Sequence, residues 1–458
     1  MQGEAVRRSS PERWNTPAER RTDGGSRSRQ APSCAGGEVV SDCPGMPSRP
    51  SERFILLILA AIQFTHIMDF MVMMPLAPQL MRELNLGAGQ FSALVAAYSI
   101  AAGVVGLFFA PFIDRFDRRT LLLYSYAGFT VATLLCGLAT DARTLLIARA
   151  VGGAFGGVSG SLCMAIVSDI VPPERRAAGI GIVTTAFAIA AALGVPVGLQ
   201  LAHVFGWRAP FTNLAVCAAV VWCVAFRFVP PVRGHLQTGT KKGQAFRELL
   251  RDRNAGRAIL FMSVMVLGHF SIVPLLSPHL VGDLALPEKY LFLVYFIGGT
   301  LSVFTAPRVG RLADRHGRQR VFTYMVILAS IVILAIANAG PMPVWATLVL
   351  AGFFFVFASG RFVPGQAIVS LAVPSSRRGG FLSLTSCARD LTSGISSMLG
   401  GWIVTKQPDG HLVHFNWLGW IAVATGLLSI VLARTVRVND TGSISPLASA
   451  PAAPKAAG

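Results

Sequence analysis

Twelve stretches of the chain are long and apolar enough to cross a lipid bilayer, and this feature constrains the possible folds most strongly. The hydrocarbon core of a bilayer is about 30 Å thick, so a spanning helix needs about 20 mainly apolar residues. We therefore predict an all-α integral membrane protein. The predicted spans cover residues 54–76, 89–113, 120–139, 144–170, 177–202, 210–229, 257–281, 289–309, 321–339, 343–373, 380–405 and 414–435.

The composition supports a membrane protein. Hydrophobic residues make up 53% of the 458-residue chain and charged residues only 14%, so a soluble protein of this sequence would expose too much apolar surface. The net charge of +18 comes largely from short basic clusters between spans, the position that the positive-inside rule describes. We therefore expect no nucleic-acid partner. The seven cysteines show no metal-ligand spacing, and we expect no metal site.

The sequence repeats itself at an offset of about 200 positions. The segment Gly310–Arg320 reads GRLADRHGRQR, and the segment Ala110–Arg119 reads APFIDRFDRR. At the same offset, Pro78 matches Pro278. Tandem halves of this kind are typical of transporter folds. The predicted units are an N-terminal six-helix bundle over 54–229, a cytoplasmic linker over 230–256 and a C-terminal six-helix bundle over 257–435.

The two ends of the chain, residues 1–53 and 436–458, lack apolar periodicity, and we expect both to be disordered tails. Met46 is an alternative start of the protein. Basic residues concentrate in the links after the even-numbered spans, which predicts that both tails are cytoplasmic. We expect the protein in the cytoplasmic (inner) membrane of a bacterium.

The repeated segment resembles the loop signature of the major facilitator superfamily, Gly-x-Leu-Ala-Asp-Arg-x-Gly-Arg-Lys/Arg. The earlier copy departs from it, because Ala110 and Asp117 stand where the family has glycines. The resemblance implies the major facilitator fold and loops that hold the cytoplasmic sides of the two halves together. Topology-determining charge is the alternative interpretation. The gate-loop candidates are Asp114, Arg115, Arg118, Gly310, Asp314, Arg315, Gly317 and Arg318.

Two further segments are similar to motifs of the same family. Leu145-x-x-x-Arg149-x-x-Gly-Gly resembles the motif that places one arginine in the membrane. The antiporter-type segment Gly194-Val-Pro196-Val-Gly198 resembles a shortened form of the motif that marks drug-efflux members. The resemblance implies the twelve-helix drug:proton antiporter (arabinose-efflux-permease-like) branch. Pro196 also removes one backbone hydrogen bond and permits a kink.

Charged residues inside the spans are the candidates for function, because a charge at the bilayer centre costs about 2.5 to 3.5 kcal/mol and needs a cavity or a partner. His66 and Asp69 are spaced i, i+3 and share one helical face, with Arg149 as the predicted nearby cation. A structural ion pair is the alternative for Asp69, and a hydrogen-bonded core position is the alternative for His66. The proton-coupling candidates are Asp69, Arg149, His66, His269 and Asp390.

Other residues are predicted to line a substrate cavity. Arg389 and Asp390 are adjacent on one helix and point in different directions, so we expect each to need a separate partner. Methionines around Met73 are typical of promiscuous cavities, although ordinary packing explains them as well. The substrate-cavity candidates are Gln63, Phe70, Met73, Arg361 and Arg389.

Together these features predict a secondary active transporter that exports small amphipathic molecules or drugs in exchange for protons by alternating access. No Gly-x-x-x-x-Gly-Lys-Ser/Thr segment is present, so we expect neither ATP nor another cofactor. A proton-linked transporter of a sugar or other metabolite, including an importer, is the alternative. A membrane sensor and a membrane enzyme are further alternatives, and the sequence lacks a suitably placed nucleophile motif for the enzyme. We expect a monomer whose partners are the substrate, protons and lipids.

Overall fold

The computed structural model describes residues 51–109, 116–172, 175–232, 251–374, 378–407 and 410–437. These residues are almost entirely helical, which confirms the predicted all-α class. They also contain one antiparallel pair of short strands, β1 (Thr405–Lys406) and β2 (Leu412–Val413), in which Thr405 pairs with Val413. The greater part of both predicted tails and most of the linker lie outside the described residues.

The helices of the first part of the chain are α1 (Glu52–Val72), α2 (Ala77–Glu83), α3 (Ala88–Phe109), α4 (Arg118–Leu138), α5 (Ala142–Ile170), α6 (Arg176–Ile189), α7 (Val195–Phe205) and α8 (Arg208–Phe228). Those of the second part are α9 (Arg253–Phe270), α10 (Val273–Gly282), α11 (Leu291–His316), α12 (Arg318–Ala337), α13 (Val344–Phe354), α14 (Phe362–Ser370), α15 (Arg378–Ile403) and α16 (Phe415–Thr435). We refer to the described residues 51–232 as the first half and to residues 251–437 as the second half.

Eleven helical segments of the described residues are long and apolar enough to cross a membrane. Three of these segments are composite, since α6 continues into α7, α9 into α10 and α13 into α14. The remaining long helix, α15, has 26 residues and covers the predicted eleventh span. It is more polar than the others because it carries Arg389, Asp390 and many serine, threonine and glycine residues.

Several helices begin at a side chain that satisfies their first backbone N–H groups. The carboxylate of Asp141 accepts hydrogen bonds of 2.8 Å from the backbone N–H groups of Arg143 and Thr144 at the start of α5. Ser51, Asp117 and Asp252 cap α1, α4 and α9 in the same way. Capping residues of this type contribute about 1 kcal/mol each, so the sequence itself determines where these helices start.

The two ends of the helix bundle differ in how the halves meet. We call the end at which α1 begins and α16 finishes the terminal end, and the opposite end, with α2, α10 and the β1–β2 hairpin, the far end. One cluster of buried hydrophobic residues at the far end draws on both halves, including Met73, Leu80, Leu276 and Leu280. Two other buried clusters, each confined to one half, lie toward the terminal end. The halves therefore share a core at the far end.

Small residues let α3 and α15 pack closely across the two halves. A Cβ atom on Gly103 would lie 2.8 Å from the backbone nitrogen of Leu391, and one on Gly394 would lie 3.0 Å from the carbonyl oxygen of Ala96. A second crossing joins α11 to the segment between α6 and α7, where Gly299 faces the carbonyl oxygen of Ala191. Close backbone approach of this kind is a main source of helix association in membranes.

Local helix geometry differs from the sequence expectation in two places. The predicted loop over Gly310–Arg320 is wrong, because α11 remains helical through His316 and only Gly317, at φ +93°, breaks it before α12. The residues from Gly310 to His316 include good helix formers, and the turn needs only one left-handed position, which glycine adopts readily. At the other place, a π-helical turn over Ala190–Gly194 directly precedes Pro196, which has no N–H to donate.

Candidate functional site

The centre of the first half contains a buried ion pair between α1 and α5. Nη1 of Arg149 lies 2.7 Å from Oδ2 of Asp69 and also donates a 3.2 Å hydrogen bond to the Asp69 carbonyl oxygen. The two side chains are 0% and 2% exposed, so bulk water solvates neither charge. The predicted proximity of these two residues is therefore confirmed, while their role in proton coupling stays a prediction.

Tyr98 of α3 packs against this pair, and no motif in the sequence predicted it. The guanidinium carbon of Arg149 lies 4.3 Å from the centre of the Tyr98 ring, a cation–π contact. Gly153 makes this arrangement possible, because a Cβ at that position would lie 2.1 Å from the Tyr98 carbonyl oxygen. The glycines that follow Arg149 in the motif were the only sequence signal that another helix approaches here.

His66 and Gln63 lie on α1 one and two turns before Asp69. Both ring nitrogens of His66 and Oε1 of Gln63 are buried without a hydrogen-bond partner among the described residues. The His66 ring centre is 6.0 Å from Tyr98 and 5.9 Å from Phe129. Gly156 leaves the space that His66 occupies, since a Cβ there would lie 2.6 Å from the imidazole Cδ2. These unpaired groups are available to a polar ligand.

Arg389 and Asp390 bind each other, and the expectation of separate partners is wrong. Nε of Arg389 donates a 3.2 Å hydrogen bond to Oδ1 of Asp390, with the side chains 43% and 29% exposed. Adjacent positions on a helix do not face each other, but the long arginine side chain folds back far enough to reach its neighbour. The two residues lie on α15 between Cys387 and Leu391, and a Cβ on Gly103 of α3 would lie 2.9 Å from the Cys387 carbonyl oxygen and 2.8 Å from the Leu391 nitrogen. The pair therefore faces the first half across the boundary between the halves.

Phe70 and Phe270, which are related by the 200-residue offset, meet between the halves with ring centres 5.9 Å apart. Phe70 also lies 5.7 Å from the ring of Tyr98, so it borders the same polar centre. Met73 does not, because it is 0% exposed within the shared core at the far end. The structure thus places Met73 in packing and not on a cavity wall.

His269 and Arg361 lie in the second half, and neither pairs with a carboxylate among the described residues. The His269 ring is 5.0 Å from Phe362 and 6.3 Å from Phe354, both on the segments that carry Arg361. Arg361 is 1% exposed, and its Nε and Nη2 atoms have no hydrogen-bond partner in the part of the chain that the structure describes. These two predicted residues are therefore close to each other and separate from the Asp69–Arg149 pair.

The antiporter-type motif packs against α1. A Cβ on Gly194 would lie 2.7 Å from the Met68 sulfur, and one on Gly198 would lie 2.8 Å from Val72 Cγ2. Pro196 sits in the first turn of α7, immediately after the π-helical turn. The motif therefore brings a locally irregular helix directly against the helix that carries Asp69.

Of the gate-loop candidates, Asp114 and Arg115 lie outside the described residues. Arg118 is buried and pairs at 2.6 Å with Asp169, which the sequence analysis did not single out. In the second copy, Asp314 and Arg318 approach within 3.6 Å across the break at Gly317, whereas Arg315 is exposed. Gly310 lies within α11, where the nearest atom to an added Cβ would be in Val363, at 3.7 Å. The ion pairs of Arg118 with Asp169 and of Arg318 with Asp314 each lie within one half.

The far end carries an ionic contact that joins the two halves. Arg82, which follows the first span, forms a two-contact ion pair with Glu288 at the start of the eighth. Nearby, the carboxylate of Asp283 accepts hydrogen bonds of 2.6 Å from His279 and 2.9 Å from His411. Burial disfavours the ionised carboxylate, but these bonds outweigh it and hold the pKa of Asp283 below its usual value. No spacing in the sequence predicted either contact.

Comparison with known proteins gives the same family as the motifs. The family model described as Major Facilitator Superfamily matches residues 59–337 and 262–457, which together cover most of the chain. The chain belongs to the major facilitator superfamily. It is therefore a multi-pass membrane transporter and not an enzyme, as predicted from the sequence.

Among superfamily members, an uncharacterized MFS-type transporter, YceJ of Bacillus subtilis, is 24% identical over 80% of this chain and 92% of its own length. The multidrug resistance protein MdtG of Salmonella typhimurium is 26% identical over 73% of this chain and 84% of its own. A protein named as a probable sugar efflux transporter of Mannheimia succiniciproducens is 22% identical over 83% of this chain and 93% of its own.

Solved structures support the superfamily fold. The crystal structure of a bacterial homologue of the human lysosomal transporter Spinster, in an inward-facing and unoccupied conformation, aligns with a TM-score of 0.66. The alignment covers 85% of this chain and 98% of that protein, at 16% sequence identity. At this identity the likeness concerns the fold alone.

Proposed function

We propose that this transporter exports small amphipathic molecules in exchange for protons, by alternating access between two half-molecules. The observation that carries the proposal is the buried pair of Asp69 and Arg149 at the centre of the first half. A carboxylate inside a membrane is retained only where it has a partner, water or a proton. When movement of α1 against α5 separates the two side chains, proton uptake is a direct way to neutralise Asp69.

One such site is energetically sufficient. A proton that enters down a membrane potential of about 150 mV releases about 3.5 kcal/mol. This free energy holds a neutral substrate at a concentration ratio of a few hundredfold. No second energy source is needed for export.

The proposed moving parts are the two six-helix halves, with α3 and α15 as one contact between them and α11 and the α6–α7 segment as the other. The shared core and the Arg82–Glu288 pair support a state that is closed at the far end. The basic links predict that the terminal end faces the cytoplasm. Under this orientation the closed far end faces away from the cytoplasm, in the inner membrane of a bacterium.

The direct test is transport by the purified protein in proteoliposomes under an imposed pH gradient, with a panel of fluorescent amphipathic dyes. We expect Asp69→Asn to fold, because the amide oxygen can still accept a hydrogen bond from Arg149, but to be less stable than the wild type, since the buried Arg149 charge loses its counter-ion. The variant should lose gradient-driven accumulation, because the amide does not titrate. Asp141→Asn is the matched control, since Asp141 is exposed and asparagine caps helices as well as aspartate does. Uphill transport by Asp69→Asn at the wild-type rate would move the coupling site elsewhere, with Asp390 and His269 as the next candidates.

A sugar or other metabolite is the second candidate substrate. It is favoured by the unpaired polar atoms of Gln63, His66 and Tyr98, which suit a ligand rich in hydroxyl groups. A sugar efflux name among the relatives agrees with this alternative. Flux of radiolabelled sugars in the same vesicles distinguishes sugar transport from dye transport. Measuring this flux in both directions distinguishes export from uptake.

A further inference from the structure

The second half contains a buried positive charge that has no acidic partner. Arg361 follows the π-helical turn over Phe355–Ser359, a kind of helix irregularity that is frequent at functional sites. Its side chain is 1% exposed, and within the described ranges no carboxylate lies in ion-pair distance of it. Arginine keeps its charge under these conditions, so the guanidinium requires an anion or an acceptor from outside the described protein groups.

Small and polar residues surround Arg361. A Cβ placed on Gly426 of α16 would lie 3.3 Å from Val326 Cγ1, 3.6 Å from Nη1 of Arg361 and 3.8 Å from Oγ of Ser330, so the guanidinium lies against a position that only glycine leaves open. His269 of α9 lies against the residue that follows Arg361, with its ring centre 5.0 Å from that of Phe362. Nδ1 of His269 is itself buried without a hydrogen-bond partner among the described residues. Two groups able to donate hydrogen bonds to an anion therefore lie at one place.

The first half shows what is missing from the second. There, Asp69 of α1 supplies the negative charge that Arg149 binds. At the 200-residue offset, the position of Asp69 is taken by His269 on α9, which contributes no negative charge. The partly exposed carboxylate of Asp390 pairs with Arg389 and so is not available to Arg361. The described interior of the second half is thus short of one negative charge.

We propose that Arg361 and His269 form a subsite for an anionic group of the transported molecule. This anionic group would neutralise Arg361 as Asp69 neutralises Arg149 in the first half. The subsite suits a carboxylate, sulfonate or phosphate, because the guanidinium fork binds such groups with two parallel hydrogen bonds. The rings of Phe270, Phe354 and Phe362 around His269 provide an apolar wall for the rest of the molecule. This inference rests on the proposed export function and narrows its substrates to amphipathic anions.

The test is equilibrium binding to the purified protein in detergent, with three probes that share one ring system: naphthalene-2-sulfonate, 2-naphthamide and naphthylmethylammonium. We expect the sulfonate to bind best and to raise the thermal unfolding midpoint. Arg361→Gln should weaken sulfonate binding by about 10- to 100-fold, the usual effect of losing hydrogen bonds to a charged group. Arg434→Gln, which removes an exposed arginine of α16, is the control and should bind as the wild type does.

Arg361→Lys keeps the charge but not the fork, so we expect an intermediate affinity, and this variant serves if Arg361→Gln does not fold. Unchanged sulfonate binding in Arg361→Gln would overturn the proposal. If only Arg361→Lys folds, unchanged sulfonate binding in that variant would overturn it. The proposal would also be overturned if the wild type bound the amide or the ammonium probe as tightly as the sulfonate. Repeating the titration in nanodiscs with and without phosphatidylglycerol identifies the source of the anion, since Arg361-dependent competition by that lipid would make the occupant a lipid phosphate.

The binding assay is independent of proton coupling. Asp69→Asn should still bind naphthalene-2-sulfonate without any pH gradient. Retained binding without uphill transport in the wild type would refute the export mechanism alone, and transport without Arg361-dependent binding would refute the anion subsite alone.

Discussion

Arg82 and Glu288 are 206 positions apart in the chain and form an ion pair that joins the first half to the second at the far end. Their side chains are 59% and 35% exposed, so water and salt reach the contact. An exposed pair of this kind contributes about 0–1 kcal/mol, enough to bias a conformational equilibrium without locking it. The proposed alternating access, in which this end opens in each cycle, requires a contact of such limited strength.

We therefore predict that Glu288→Gln favours opening of the far end by at most about fivefold, because it removes the ionic part of the contact. The measurement is hydrogen–deuterium exchange of peptides that cover residues 76–87, at low salt. Glu83→Gln is the matched control, because Glu83 bonds to Gln79 of its own helix. The difference between the variants should diminish in high salt, and equal exchange in both at low salt would contradict the prediction.

The buried pair of Asp69 and Arg149 predicts a characteristic double-mutant cycle. Arg149→Met alone should destabilise the protein by about 3–5 kcal/mol, since it leaves a buried carboxylate without its partner. Asp69→Asn combined with Arg149→Met should recover a large part of that loss, because no charge remains. Thermal unfolding of the purified variants in detergent measures both effects. Wild-type stability of the single Arg149→Met variant would show that the pair does not matter for folding.

Adjacent glycines on α5 should respond oppositely to the same substitution. A Cβ on Gly153 would lie 2.1 Å from the backbone oxygen of Tyr98, so Gly153→Ala must push α3 and α5 apart, at a cost of about 1–3 kcal/mol. On Gly152 the nearest atom would be Ala132 Cβ at 3.6 Å, an ordinary contact. Gly152→Ala should therefore be neutral or stabilising by up to about 1 kcal/mol through helix propensity. Unfolding midpoints that fall equally in both variants would be inconsistent with this packing.

Asp283 makes the stability of the far end depend on pH. Because its pKa is lower in the folded protein than the ordinary value of about 3.9, its contribution is fully present well above that value. The contribution is lost as the pH falls through about 3.9 and on through the lower folded value. Asp283→Asn should cost about 1.5–3 kcal/mol at neutral pH, and the gap from the wild type should shrink below about pH 4.

Thermal unfolding midpoints between pH 7 and pH 3 measure this gap. Asp314→Asn provides the comparison, since the Asp314 carboxylate is 71% exposed and lies 3.6 Å from Arg318. We expect that variant to stay within about 0.5 kcal/mol of the wild type. A gap for Asp283→Asn that does not change with pH would mean that its hydrogen bonds do not depend on the charge.

The sequence by itself determined the helical spans, the tandem halves and the proximity of Asp69 to Arg149. Every spanning segment must cross the same thickness of hydrocarbon and therefore needs a continuous apolar stretch of similar length. Such a stretch is a local property of the sequence, so it can be recognised without knowing the tertiary structure. The spacing of glycines after Arg149 likewise indicates a close helix neighbour without saying which helix it is.

Only the tertiary structure decided which side chains meet. The rotation and register of neighbouring helices place Tyr98 beneath Arg149, pair Arg389 with Asp390 and leave Arg361 without an acid among the described residues. Arg82 and Glu288 meet only because the far ends of the two halves are closed together. Such contacts depend on packing between segments far apart in the chain, which the local pattern of residues does not specify.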